Sequence, residues 1–287
     1  MFYTPLRYPG GKGKLAAYLK IIFEENNLCD GHYVEPYAGG AGVAVELLLL
    51  QYASHVHIND IDDAVYSFWY SVLNHTDELV SMIASKRVSM AEWRRQKYIL
   101  QNPEGCSELE RGFATFFLNR TNRSGILKAG VIGGKAQSGT WKLDVRYNKK
   151  ELIRRIEQIA LYRDRISLYR KDALSLIDTL LPTLPKKTLV YLDPPYYVKG
   201  EGLYRNFYQY GDHVAIKNAL RKTKDIFWLV SYDNVSEIRE IYKQYRQQEY
   251  LLRYTAQNKF KGTEVMIYGP RLKYPEDVSP YYSVNAA

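Results

Sequence analysis

Four short stretches of the 287-residue chain carry residue types whose spacing suits chemistry. The most informative is Thr188-Leu-Val-Tyr-Leu-Asp193-Pro194-Pro195-Tyr196, an apolar strand-like run that ends in Asp-Pro-Pro-Tyr. Proline fixes φ and cannot donate to a ladder, so Pro194 and Pro195 end the strand and hold a rigid loop just beyond it. The proline after Asp193 also keeps that residue out of the helical region. Such a loop offers the Asp193 carboxylate, the Pro194 carbonyl and the Tyr196 ring in one arrangement. Two acceptors grip an exocyclic amino group while an aromatic face stacks on a flat heterocycle.

Glu35-Pro-Tyr37-Ala-Gly39-Gly40-Ala41-Gly42 follows a second strand-like run and opens a helical one. Its glycines let the backbone turn tightly and approach a ligand. It is not the dinucleotide fingerprint, which, starting at Gly39, needs a glycine where Ala44 stands. Asn59-Asp60 ends the next strand, 21 residues after Gly39. A carboxylate there accepts hydrogen bonds from both hydroxyls of a ribose, or else caps the helix that begins near Asp62; the local sequence fits both readings equally. The fourth stretch, Arg7-Tyr8-Pro9-Gly10-Gly11-Lys12, is not a phosphate-binding loop of the Walker type. Tyr8 stands in the place of its first glycine and Leu15 in the place of its Ser or Thr.

These motifs sit where strands give way to loops. β-Branched and aromatic runs at Tyr33–Glu35, His55–Ile58, Arg165–Tyr169, Thr188–Leu192, Ile226–Ser231 and Glu264–Tyr268 alternate with helical spacing at Val43–Leu50, Ala173–Leu180, His213–Leu220 and Val235–Tyr242. The alternation predicts an α/β fold with a mostly parallel sheet covered on both faces. Glu249–Tyr254 and Glu264–Tyr268, separated by a short polar loop, predict a C-terminal antiparallel hairpin. From 64 to 148 the pattern turns helical, in Val65–Leu73 and Leu109–Leu118, and ends in a glycine-rich basic stretch, Gly125–Gly139. The expected organisation is a catalytic and cofactor-binding domain formed by 1–63 and 149–287, with 64–148 inserted as a helical unit.

Composition narrows the classes. A hydrophobic fraction of 46% and a charged fraction of 25% fit a globular chain rather than a disordered one. The longest apolar run, Val43–Leu50, is broken by Glu46 and falls far short of a membrane span. Two cysteines, Cys29 and Cys106, build neither a disulfide framework nor a zinc ribbon, so an intracellular, metal-independent protein is expected. The net charge is +9, and the window from Asn119 to Lys150 alone nets +7. Such a field draws in a polyanion; by itself it fits a solvated basic face equally well.

In this order the four stretches resemble the Dam-type DNA adenine N6-methyltransferases, which use S-adenosylmethionine. The resemblance runs from Tyr3 to about Leu272. It rests on Tyr8-Pro-Gly-Gly-Lys12, Tyr33-Val-Glu-Pro-Tyr-Ala-Gly39, Asn59-Asp60, Phe117-Leu-Asn-Arg120 and Asp193-Pro-Pro-Tyr196. It implies a Rossmann-like methyltransferase sheet and a catalytic loop of Asp193, Pro194, Pro195 and Tyr196. It also implies cofactor contacts from Tyr8, Lys12, Glu35, Gly39, Asp60, Asp172 and Asp193. The helical insertion takes the place of the family's target-recognition region, with Arg120, Asn122, Arg123, Lys128 and Lys135 as DNA contacts. Double-stranded DNA is the implied partner, and a separately encoded restriction endonuclease a further one. The loop Lys199–Tyr210, with Tyr204, Arg205, Phe207 and Tyr208, is expected to close over an extruded base. Two positions depart from the family pattern: Ala41 stands where its second glycine falls, and Val145-Arg146-Tyr147-Asn148 lacks the proline usual in members that modify GATC.

Other readings account for less. A nicotinamide oxidoreductase also wants Gly39 and Asp60, but leaves Asp-Pro-Pro-Tyr and the basic window unexplained. A methyltransferase of RNA or of protein glutamine shares the site. A silent DNA-binding regulator has no reason to keep Lys12, Asp60, Asp193 and Tyr196 together.

Overall fold

The computed structural model describes residues 3–7, 15–197, 208–253, 261–276 and 278–280. Tyr8 and Lys12, together with Tyr204, Arg205 and Phe207, lie outside the described residues. The expected apolar runs become β1 (Gly31–Glu35), β2 (Ala53–Asn59), β3 (Ile166–Tyr169), β4 (Thr188–Leu192) and β5 (Phe227–Asp233), all mutually parallel where paired. β6 (Arg246–Arg253) and β7 (Lys261–Tyr268) form the hairpin expected at the C-terminus. β7 inserts antiparallel beside β5, so the sheet order is β3-β2-β1-β4-β5-β7-β6. This is the Rossmann-like, doubly wound architecture with a reversed edge. The order turns back between β1 and β4, and such a switch point leaves a crevice beyond the strand C-termini.

Helices α1 (Leu15–Glu25) and α2 (Gly42–Leu49) precede the helical stretch; α3 (Asp63–Asn74), α4 (Thr76–Ser85), α5 (Met90–Gln101) and α6 (Glu108–Thr121) make it up. Then follow α7 (Lys149–Ala160), α8 (Ala173–Leu180), α9 (Tyr210–Lys222) and α10 (Ser236–Ile241). Helices α1, α4, α5 and α7 go beyond the periodic runs picked out in the sequence. The stripe of α5 is thin, burying only Trp93 and Gln96 in a polar helix. The ends of α6 are set by local chemistry. Ser107 and Glu110 form a capping box at its start. Among the described residues, no helix is long and apolar enough to cross a membrane.

One apolar cluster joins Leu19 and Tyr33 of the sheet side to Phe68, Trp69, Phe116 and Tyr147 of the helical stretch. A second fills the other face of the sheet around Val190, Val230, Ile177 and Ile216. Each fully buried Leu, Ile or Phe contributes about 1.5–3 kcal/mol relative to exposure. The helical stretch therefore shares a core with the sheet. Helix α7, beyond the 148/149 boundary in sequence, packs against α3 and α4.

Candidate active site

Asp193 is the first residue beyond β4, at the switch point, and is half-buried. Its Oδ1 accepts a hydrogen bond from Ser231 Oγ at 2.8 Å, and that hydroxyl is 2.7 Å from Tyr191 OH. The Tyr191–Ser231 chain spans β4 and β5, so the sheet itself fixes the rotamer of Asp193. Glu35, the last residue of neighbouring β1, lies close enough to feel its charge. Prolines 194 and 195 and Tyr196 are buried.

The rest of the loop is held from β5 and β7. Tyr196 donates its hydroxyl proton to Glu264, whose other oxygen accepts from Tyr250 OH. The Tyr197 amide donates to Asp233 Oδ1 at 2.9 Å. Asp233 and Glu264 are register partners across the antiparallel pair, so two buried acids side by side grip consecutive residues of the loop. Ser231, Asp233 and Glu264 escape the sequence reading. Their signal is a polar residue set in an apolar strand, and only pairing shows what it faces.

The cofactor-side residues gather at the C-termini of β1 and β2. Asp60 is half-buried; Oδ2 accepts from the Gly39 amide at 2.9 Å and Oδ1 from the Asp62 amide at 2.9 Å. The cap of α3 is Asp62, not Asp60. Asp60 instead clamps the glycine turn to the next loop, and a carboxylate has lone pairs beyond two such bonds. Burial raises its pKa to about 6, partly offset by the two amides, so it is mostly ionised at neutral pH. Glu35 is buried, and its Oε1 accepts from Tyr33 OH at 3.1 Å and from the Ala44 amide at 3.2 Å. The second bond satisfies a free amide of the first turn of α2. Burial, reinforced by Asp193, raises the Glu35 pKa to about 8, against the two donors that lower it. Gly39 has φ 47°, and Ala41 has φ 43°, so an alanine occupies a left-handed position that favours glycine. Asp172 is exposed at the start of α8, where its Oδ1 accepts from the Leu174 and Ser175 amides.

The donor set fits S-adenosylmethionine. An ionised carboxylate on a rigid turn suits ribose hydroxyls, and left-handed backbone at 39 and 41 bends the chain sharply at the crevice mouth.

The candidate DNA residues divide. Arg123, Lys128 and Lys135 are exposed. Arg120 is half-buried, with Nε donating to the Arg146 carbonyl at 2.7 Å. Its pKa is lowered to about 9, first by burial and then by the charges of Arg7, Arg155 and Arg146. Asn122 is not brought to the surface with them. It is buried, its Oδ1 accepts from Trp93 Nε1 at 2.7 Å, and its Nδ2 donates to the carbonyls of Ile126 and Leu127. Its amide is spent on shaping the loop, not on a nucleotide.

The N-terminal segment ties this loop to the cofactor turn. Thr4 Oγ1 donates to the Gly40 carbonyl at 2.5 Å. Three residues on, buried Asn119 accepts from the Arg7 amide at 2.7 Å. Its Nδ2 donates to the carbonyls of Arg7 at 2.6 Å and Gly125 at 2.9 Å. Gly125 has φ 77°, and a Cβ there would lie 2.4 Å from the Arg7 carbonyl oxygen, so only glycine admits the strap. Trp69 Nε1 adds a bond from α3 to the Gly39 carbonyl at 2.9 Å.

Comparison with known proteins identifies the family. A family model described as D12 class N6 adenine-specific DNA methyltransferase matches residues 8–258. The type II methyltransferase M.MjaIII of Methanocaldococcus jannaschii is 24% identical over 208 residues, which cover 67% of this chain and 68% of that protein. Among solved structures, a protein of Listeria monocytogenes assigned as a class I S-adenosylmethionine-dependent methyltransferase is 12% identical with a TM-score of 0.40. That alignment covers 93% of this chain and 63% of the other. The rRNA methyltransferase AviRa of Streptomyces viridochromogenes is 13% identical with a TM-score of 0.36, covering 87% of this chain and 83% of the other.

Proposed function

The chain belongs to the D12 class of N6 adenine-specific DNA methyltransferases, and from that premise we propose how its own residues perform the transfer. S-Adenosylmethionine, when bound, supplies an electrophilic methyl group on a sulfonium. Asp60 holds the ribose, Glu35 and Gly39 wall the methionine side, and Asp172 borders the adenine of the cofactor. Tyr8 and Lys12, outside the described residues, are assigned to the cofactor by the family resemblance alone.

The target amine lies within the stack of duplex DNA, so the adenine turns out of the helix to react. An aromatic amine is a weak nucleophile because its lone pair is delocalised into the ring. Asp193 and the Pro194 carbonyl accept its two hydrogens, which favours pyramidal nitrogen and turns the lone pair toward the methyl group. Positioning and charge stabilisation supply most of the acceleration. With the cofactor held by these residues, the methyl would pass from the sulfonium to the amine nitrogen, leaving a neutral thioether, and the surplus proton of the then-cationic nitrogen would pass to the Asp193 carboxylate and on to solvent. Asp193 therefore need not be a strong base. Tyr196 stacks on the base, its ring held by Glu264. Arg120, Arg123, Lys128 and Lys135 contact the duplex, while Asn122 keeps their loop in shape. The enzyme works on DNA in the cytoplasm of a bacterium or of a phage-infected cell, beside a separately encoded restriction endonuclease.

The observation that carries this reading is Asp193 at the switch point, pinned by Ser231 next to Glu35. Its test is transfer of labelled methyl from S-adenosylmethionine to unmethylated bacterial DNA, with nucleoside analysis of the product. Label is expected in N6-methyladenine at one short recurring word. Asp193→Ala is expected to lower turnover by at least about a thousandfold with DNA affinity changed only a few-fold. Near-normal turnover in that variant would overturn the mechanism.

A further inference from the structure

We propose that Trp141 is an aromatic contact for duplex DNA, its indole packing on the sugar and base faces of a nucleotide. The proposal rests on the DNA reading above and adds a residue of different chemistry to the basic contacts. Of the four tryptophans, Trp69, Trp93 and Trp228 are buried, whereas Trp141 is 67% exposed. A lone exposed apolar side chain is ordinary. Trp141 differs in what holds it and what surrounds it.

Its turn is anchored on both sides by buried Val131 and Leu143. Between them the chain takes the left-handed conformation at Gly133, Gly134 and Gln137. Gln137 acts as a staple: Nε2 donates to the carbonyls of Ile132 and Gly134, each at 2.7 Å, and Oε1 accepts from the Leu143 amide at 2.9 Å. Lys142 Nζ donates to the Gln137 carbonyl at 2.6 Å, and the Gly139 amide to the Gly133 carbonyl at 3.2 Å. A Cβ at Gly133 would sit 2.6 Å from the Trp141 carbonyl oxygen, so the backbone of Trp141 is packed while its ring faces water. A non-glycine residue held left-handed is a strained choice, and such choices concentrate where a loop must present something.

The neighbourhood fixes the partner as a polyanion with flat faces. The loop lies in the +7 window, with Arg123, Lys128 and Lys135 exposed on it. Cations alone recognise any polyanion. An indole adds contact with a π-face, which every base carries, so its contribution tolerates sequence. Holding the ring on a stapled turn lowers the ordering cost of binding.

Because its three companions are buried, Trp141 dominates collisional quenching by acrylamide, and Trp141→Phe gives the background. Unmethylated bacterial DNA fragments at saturation are expected to reduce quenching of Trp141 at least threefold. Heparin, a polyanion without bases, is expected to leave it unchanged. Trp141→Ala is expected to weaken DNA binding about tenfold with an unaltered slope of log affinity against log salt. Trp141→Phe should stay within about threefold of the parent, and Lys135→Ala should reduce the slope by about one. Equal quenching with and without DNA, or parental affinity in Trp141→Ala, overturns the proposal while leaving the methyltransferase reading intact. A parent chain that binds no DNA overturns both.

Discussion

Replacing Asn119 by alanine removes one amide that joins three segments: the N-terminal strap, the end of α6 and the loop at Gly125. Each of the three hydrogen bonds is neutral and contributes about 1 kcal/mol net. Their loss, with the Arg7 amide left without that acceptor, is expected to cost about 3 kcal/mol. At a urea slope of about 3 kcal/mol per molar, the unfolding midpoint falls by roughly 1 M. Function suffers separately, because the strap that bonds Gly40 through Thr4 loses its register at Arg7. Isothermal titration is expected to show weaker S-adenosylmethionine binding by about five- to tenfold under conditions where the variant is folded. Asn119→Asp tests the donor side. It keeps the bond from the Arg7 amide but turns a carboxylate toward two carbonyl oxygens, so it should be no better than alanine. A midpoint shift below about 0.3 M, unchanged cofactor affinity in the folded variant, or rescue by Asp would refute the reasoning.

Ala41 sets strain against burial. Left-handed backbone costs a non-glycine residue roughly 1–2 kcal/mol. Glycine recovers that but gives up a buried methyl worth about 0.8 kcal/mol and about 0.4–1 kcal/mol of chain entropy. Ala41→Gly should therefore change stability by less than about 1 kcal/mol, whereas Ala41→Val, β-branched at positive φ, should cost several times more; equal melting points for the two would exclude this account. Glu35, with its pKa raised to about 8, holds a proton in the folded state that the unfolded chain releases near 4.5. Its contribution is complete below about pH 4.5 and is lost as pH rises through 8. Glu35→Gln should remove that fall, with a relative gain over the parent on the order of 5 kcal/mol by pH 9. Parallel stability curves from pH 5 to 9 would contradict it.

The sequence by itself determined the alternating α/β plan, the C-terminal hairpin and the Asp193–Tyr196 loop. Each is written locally: strand periodicity, proline that stops a strand, glycine that bends it. It also determined the basic window, because charge is additive along a chain. The fate of each polar residue depended instead on partners far away in sequence. Asp60 and Asp62 sit two apart and look alike as caps, yet only folding brings the Gly39 amide to Asp60 and leaves the helix end to Asp62. Asn122 reads as a base contact beside Arg123, but the approach of Trp93 turns it inward. Ser231 and Asp233 became visible only when β5 lay alongside β4, and Glu264 only when β7 paired antiparallel with β5. A hydrogen bond is short-ranged and directional, so its partner is fixed by three-dimensional register, which the local pattern of the chain does not encode.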